Sequence, residues 1–296
     1  MPLTYSIADV APYINWLYFD HAWGMSGKPE AERQQLRREA EERLSRYADR
    51  YHSRALFQLF DCYSEGEDIV LSVGGTGARG HGGARIPCLR QQQQGSDYLC
   101  LADFIAPRSA LDSNLVPPSP RTTVPPTEST SVSPGNKIGV FATTVDTAIV
   151  TDFEADPYEK MMMQLVADRL AEATAERLHE QVRKEFWGYA ADEQLTIAEM
   201  QQERFQGIRP AVGYPSLPDT SLNFVLDTLL GFSQIGIRLT ESGAMRPHAS
   251  VSGLMLAHPE ARYFSIGKIG DDQLHDYAQR RGVPVELMRK FLTPNL

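Results

Sequence analysis

The sequence predicts an α+β fold. Strand-like stretches gather in neighbouring pairs, as in "ALFQLFDCY" followed at once by "EDIVLSV". The strongest helical signal is one continuous amphipathic run over residues 156–188. Strands and helices are therefore segregated rather than alternating, which argues against a doubly wound sheet. The chain has 296 residues, 42% hydrophobic and 23% charged, enough for one large domain or two modest ones.

The elements follow in order. The opening "MPLTYSIADVAPYINW" lacks the basic start and apolar core of a secretory signal. Residues 28–52 are charged and helix-forming, with a thin apolar stripe of Leu36, Leu44 and Tyr47 that suits a surface helix. "ALFQLFDCY" and "EDIVLSV" read as two strands around a turn at Glu65–Gly66, and "YLCLADFIAP" reads as a further buried strand ended by Pro107. Residues 108–136 are rich in Pro, Ser and Thr and bury too little apolar surface to offset their ordering entropy. They are expected to be a mobile surface insertion in one domain spanning 1–296, because "KIGVFATTV" resumes as a strand suited to the same sheet.

In the long helix, Asp156 is the N-cap, Pro157 opens the first turn and Gly188 ends the run. Met162, Val166 and Leu170, then Leu178, Val182 and Phe186, form its apolar stripe. "RPAVGYP", residues 209–215, has two prolines that fix φ and a glycine that frees it. It reads as a rigid extended loop with its backbone N–H and C=O groups available for bonding. "SLNFVLDTLLGFSQIG" reads as a second helix, "RPHASVSGLMLAHPEARYFSIGKI" as a hairpin, and "DDQLHDYAQRRG" and "PVELMRKFL" as two closing helices.

Several function classes are disfavoured. A net charge of −9 opposes non-specific nucleic-acid binding. No apolar run reaches membrane-spanning length. Cys62, Cys88 and Cys100 are odd in number and widely spaced, which fits a reduced cytoplasmic protein better than a disulfide framework or a metal site. Gly75, Gly77 and Gly80 match a dinucleotide fingerprint, but no helix opens after them. The histidines show no metal-binding spacing, and His179, beside Glu176 and Glu180, has the look of a solvated helix face. No GxSxG is present.

One constellation remains. Asp168, Glu172 and Glu176 share a helix face, and Glu172 is flanked by Ala171, Ala173 and Ala175, which allow close approach of another segment. A guanidinium suits a carboxylate, while a tyrosine and a carboxylate suit a cation. Arg209, Tyr214 and Glu172 would together suit a cationic amino-acid nucleoside; a purely structural loop explains the pattern equally well.

The strings "LADFIAP", "ADRLAEATAERLHEQVRKEFWGYA", "FQGIRPAVGYPSLPD", "LTESGAMRPHASVSG", "HPEARYFSIGKI", "QLHDYAQRRG" and "LTPNL" resemble the activation domain of cobalamin-dependent methionine synthases. "INWLYFDHAW" and "LRQQ" extend the resemblance toward the N-terminus. It implies a single α+β domain with a curved, mostly antiparallel sheet flanked by helices. It implies S-adenosylmethionine as ligand: Arg209 on the methionine carboxylate, backbone at Ala211 on the adenosyl group, Tyr214 near the sulfonium, and Glu172, Glu203 and Tyr263 lining the site. The family motif has aspartate where this chain has Asn15; the lost charge is expected to weaken binding several-fold or more.

The implied role is reductive methylation of cob(II)alamin. The cobalamin would come from a cobalamin-binding domain in cis or in trans, and the electron from flavodoxin or another reductase. Alone, the chain would bind the methyl donor without turnover. The alternative is a stand-alone S-adenosylmethionine sensor or adaptor for a corrinoid protein.

Overall fold

The computed structural model describes residues 2–72, 84–108 and 137–296. The glycine-rich stretch around Gly75–Gly80 and nearly all of the 108–136 insertion lie outside them. The centre is a curled antiparallel sheet. Its strands are β1 (Leu3–Ser6), β2 (His52–Glu65), β3 (Asp68–Ser72), β4 (Arg85–Pro87), β5 (Lys137–Val145) and β8 (Ser250–Met255), with a small separate pair, β6 (Arg238–Leu239) and β7 (Met245–Arg246). The main order is β4-β3-β2-β5-β8, and β1 pairs with the first part of β2. The β2–β3 turn falls at Gly66, whose φ of 61° suits glycine.

Period-two alternation assigns the two faces of the sheet. On β5, Ile138, Val140 and Ala142 point into one apolar cluster, with Leu222, Leu226 and Leu230 of a helix spanning Leu222–Leu230. Phe141 and Val145 point into the other, with Met162, Val166, Leu170 and Leu178 of the long helix Pro157–Gln181. Asp156 caps that helix, accepting from the N–H groups of Tyr158 and Glu159 at 2.9 and 3.2 Å. Its small residues let it lie close to the sheet, and Thr143 Oγ1 donates to the Ala171 carbonyl at 3.0 Å. A third cluster seats the closing helices Asp271–Arg281 and Val285–Phe291.

Three local expectations change. "YLCLADFIAP" holds a short helical turn, Leu101–Phe104, instead of a strand. The Asp103 carboxylate accepts from the Cys100 N–H at 2.8 Å and pairs with Arg90, which coils the backbone there. The second helix stops at Gly231, where φ is 69°, and only a short turn, Phe232–Ile235, follows. The expected hairpin after Arg246 supplies one strand, β8; residues 259–270 form none, because the outer edge of β8 is taken by another segment.

Candidate functional site

That segment is the RPAVGYP stretch. Ile208 and Leu256 exchange backbone hydrogen bonds at 2.9 Å, Leu254 N–H donates to the Pro210 carbonyl at 3.0 Å, and Val212 N–H donates to the Ser252 carbonyl at 2.9 Å. The stretch is thus a short extra edge of the sheet, and much of its backbone is not free for a ligand. Gly253 permits this approach: a Cβ there would lie 2.2 Å from the Pro210 oxygen. The same alternation leaves the N–H of Ala211 facing away from β8, and among the described residues it bonds nothing.

Alternation also sorts the side chains. Ile208 and Val212 enter the cluster under the Leu222–Leu230 helix, while Ala211 joins the long-helix side. Arg209 lies on that side too and reaches Glu176 of the long helix in an ion pair. Its guanidinium carbon is 5.9 Å from the Phe141 ring centre, and its side chain is only 8% exposed. Burial works to lower the Arg209 pKa, but Glu176, with Tyr263 and Glu172, outweighs it and holds the group charged. The Arg209 N–H donates to the Tyr263 hydroxyl oxygen at 2.9 Å. Burial pushes the Tyr263 phenol up to about 12.

One turn before Glu176, Glu172 accepts a hydrogen bond from the Tyr214 hydroxyl. Burial, then the Glu172 charge, raises the Tyr214 pKa. Gly213, with φ of 87°, turns the chain so that Tyr214 faces the helix. Asn15 caps the helix Trp16–Ala22, its Oδ1 accepting from the Leu17 N–H at 3.1 Å. Asp20 does not replace the missing charge, since it is buried in a pair with Arg37. Glu203 stands in the left-handed region at φ 57°, and desolvation followed by the Glu176 charge raises its pKa.

Asn15, Glu172, Glu203, Arg209, Ala211, Tyr214 and Tyr263 all line one pocket of about 510 Å³. Residues far apart in sequence thus converge on one volume between the sheet edge and the long helix. Glu176, Arg169, Tyr13 and Phe205 share the lining and were not singled out as site residues from sequence. Glu176 carried a usable signal, because it follows Glu172 by one helical repeat on the same face. His179, expected on a solvated face, is fully buried beneath the site. Among the described residues no cluster of His, Cys, Asp or Glu could hold a metal ion.

Residues 6–282 match the family described as vitamin B12 dependent methionine synthase, activation domain. A crystal structure of the MetH reactivation domain bound to AdoHcy is similar to this chain with a TM-score of 0.84 and 36% sequence identity, covering 100% of this chain and 90% of that one.

Proposed function

Because the chain belongs to the activation-domain family of vitamin B12-dependent methionine synthases, we propose that its pocket binds S-adenosylmethionine and presents the methyl group for reductive methylation of cob(II)alamin. The observation that carries this reading is the convergence of all seven ligand-assigned residues on one 510 Å³ pocket.

The residues present fit such a ligand. After pairing with Glu176 through Nη2, Arg209 retains Nη1 as a donor for the methionyl carboxylate, while Nε is buried without a partner among the described residues. Glu172, Glu176 and Glu203 outnumber Arg169 and Arg209 around the pocket, an acidic balance suited to a ligand bearing sulfonium and ammonium cations. The Ala211 N–H, turned away from the sheet, offers a donor to the adenosyl portion. Tyr214 and Glu172 close one wall beside the sulfonium. Glu203 and Asn15 serve the ammonium end.

Cobalamin, carried by a partner module in cis or in trans and reduced by flavodoxin or another one-electron donor, supplies the group that takes the methyl. Methyl transfer from a sulfonium needs no general base from this chain. Its residues hold the sulfonium in one orientation and thereby lower the entropic part of the barrier. A cytoplasmic setting belongs to the same reading. No helix among the described residues is long and apolar enough to cross a membrane.

Calorimetric titration with S-adenosylmethionine tests this, with Arg209→Ala as the comparison. Saturable binding that the substitution abolishes is the expected result. Binding that survives it unchanged would remove the ligand from this pocket.

A further inference from the structure

Behind the pocket lies a buried cluster that the ligand reading does not use. Arg183 sits where the long helix widens into its last turn, Val182–Phe186, and is 0% exposed. Its Nε and Nη2 donate to the Glu193 carboxylate at 2.7 to 3.1 Å. Its guanidinium carbon lies over the Phe205 ring, 4.4 Å from the centre, and Nη2 is 3.5 Å from Met200 Sδ. His179 meets the same Phe205 ring edge-on at 4.9 Å. Burial, together with the charges of Arg183 and Arg209, lowers the His179 pKa and keeps it neutral, so a third cation does not crowd the two arginines.

Met200 and Phe205 line the pocket, whereas Arg183 and His179 stand behind that lining. Phe205 follows Glu203 by two residues and precedes Arg209 by four. Glu203 and Arg204 are themselves exposed, and backbone pairing with β8 resumes only at Ile208. A buried ion pair adds little stability over apolar packing of the same volume. A planar fork does something that apolar packing cannot. It grips a carboxylate with two nitrogens while its carbon sits over a ring.

We propose that Arg183 is a positioning residue for the amino-acid end of the ligand, holding Phe205 from behind and so fixing the stretch from Glu203 to Arg209 at the pocket. This rests on the pocket being the S-adenosylmethionine site. Lysine at 183 keeps the charge near Glu193 but loses the fork and the guanidinium's contact with Phe205.

The test compares two ligands on Arg183→Lys, each titrated by NMR so that millimolar affinities are read. S-adenosylmethionine carries the amino-acid end; 5′-methylthioadenosine lacks it. Arg183→Lys is expected to weaken S-adenosylmethionine about tenfold while changing methylthioadenosine less than about twofold. Equal loss for both ligands, or loss for neither, overturns the proposal, since a general weakening of the fold does not discriminate between them. Arg209→Ala is run alongside. If it leaves S-adenosylmethionine binding intact, the pocket reading itself fails, whatever Arg183→Lys does. Should Arg183→Lys not fold, Phe205→Leu keeps apolar packing without the flat ring. The same selective loss is expected for it, and an equal loss overturns the proposal.

Discussion

The backbone N–H of Arg209 donates to the hydroxyl oxygen of Tyr263 at 2.9 Å. Tyr263 comes from the strandless stretch after β8, so this bond ties the extra sheet edge to a segment with no ladder of its own. Arg209 is buried and Tyr263 half-buried, and the bond fixes the Arg209 main chain on the side away from β8. Tyr263→Phe leaves that N–H without its acceptor. The expected cost is about 1–3 kcal/mol of stability, the penalty of a buried unpaired donor. S-adenosylmethionine affinity is expected to fall with it. Denaturant unfolding and calorimetry on the same preparation check both; unchanged stability would mean that the N–H finds another partner.

Gly253 sets how close the extra edge lies to β8. An added Cβ would meet the Pro210 oxygen at 2.2 Å and the Ala211 Cα at 2.8 Å, both main-chain atoms that cannot swing aside. Gly253→Ala must therefore push residues 209–212 outward or distort β8. A destabilisation of about 1–3 kcal/mol is expected, in the range of overpacked cores. Ligand binding should be lost more completely than stability, because Arg209 and Ala211 move together. Full affinity in Gly253→Ala would show that the edge does not position the site.

Asn15 does two things at once, capping a helix and facing the pocket. Aspartate caps as well as asparagine, and its charge also favours the helix N-terminus. Asn15→Asp should therefore preserve the fold and raise S-adenosylmethionine affinity several-fold, by roughly 1 kcal/mol for a charge-assisted bond. Asn15→Ala should lose about 1 kcal/mol of stability through the missing cap. Calorimetry that finds Asn15→Asp no tighter than the parent would place the ligand's ammonium elsewhere.

How much of this was legible in the sequence follows from the range of the interactions. The long helix was readable because its cap, its first-turn proline and its apolar stripe are local. So was the β2–β3 pair, set by a short turn. The stiffness of RPAVGYP was readable from its prolines, but its pairing with β8 was not, since that depends on Gly253 some forty residues on. Residues 101–104 sit in a largely apolar run that reads as a buried strand, yet the Asp103 bond to the Cys100 N–H coils the backbone there. His179 misled for a related reason. Its acidic neighbours Glu176 and Glu180 lean toward Arg209 and Tyr13, while the imidazole itself faces inward onto Phe205. Of the seven pocket-lining positions, Arg209, Tyr214 and Glu172 were legible from residue chemistry, while Asn15, Glu203, Ala211 and Tyr263 came from a family resemblance; the Arg183 cluster came only from the three-dimensional arrangement.

Glu203 gives the site a pH dependence with a definite sign. Desolvation, then the neighbouring Glu176 charge, raises its pKa above the ordinary 4.5, while Arg209 opposes the shift. An acid with a raised folded-state pKa holds its proton to higher pH in the free protein. With the S-adenosylmethionine ammonium at Glu203, as proposed, binding favours the ionised carboxylate and expels that proton wherever it is still held. Affinity is therefore expected to rise with pH above 4.5, through the raised Glu203 pKa, and then to level off. Proton release on binding should appear over the same window as a dependence of calorimetric heat on the ionisation enthalpy of the buffer. Glu203→Gln cannot ionise and should flatten both curves while binding more weakly at neutral pH. A pH slope that persists unchanged in Glu203→Gln would assign the titration to another of the carboxylates around the pocket.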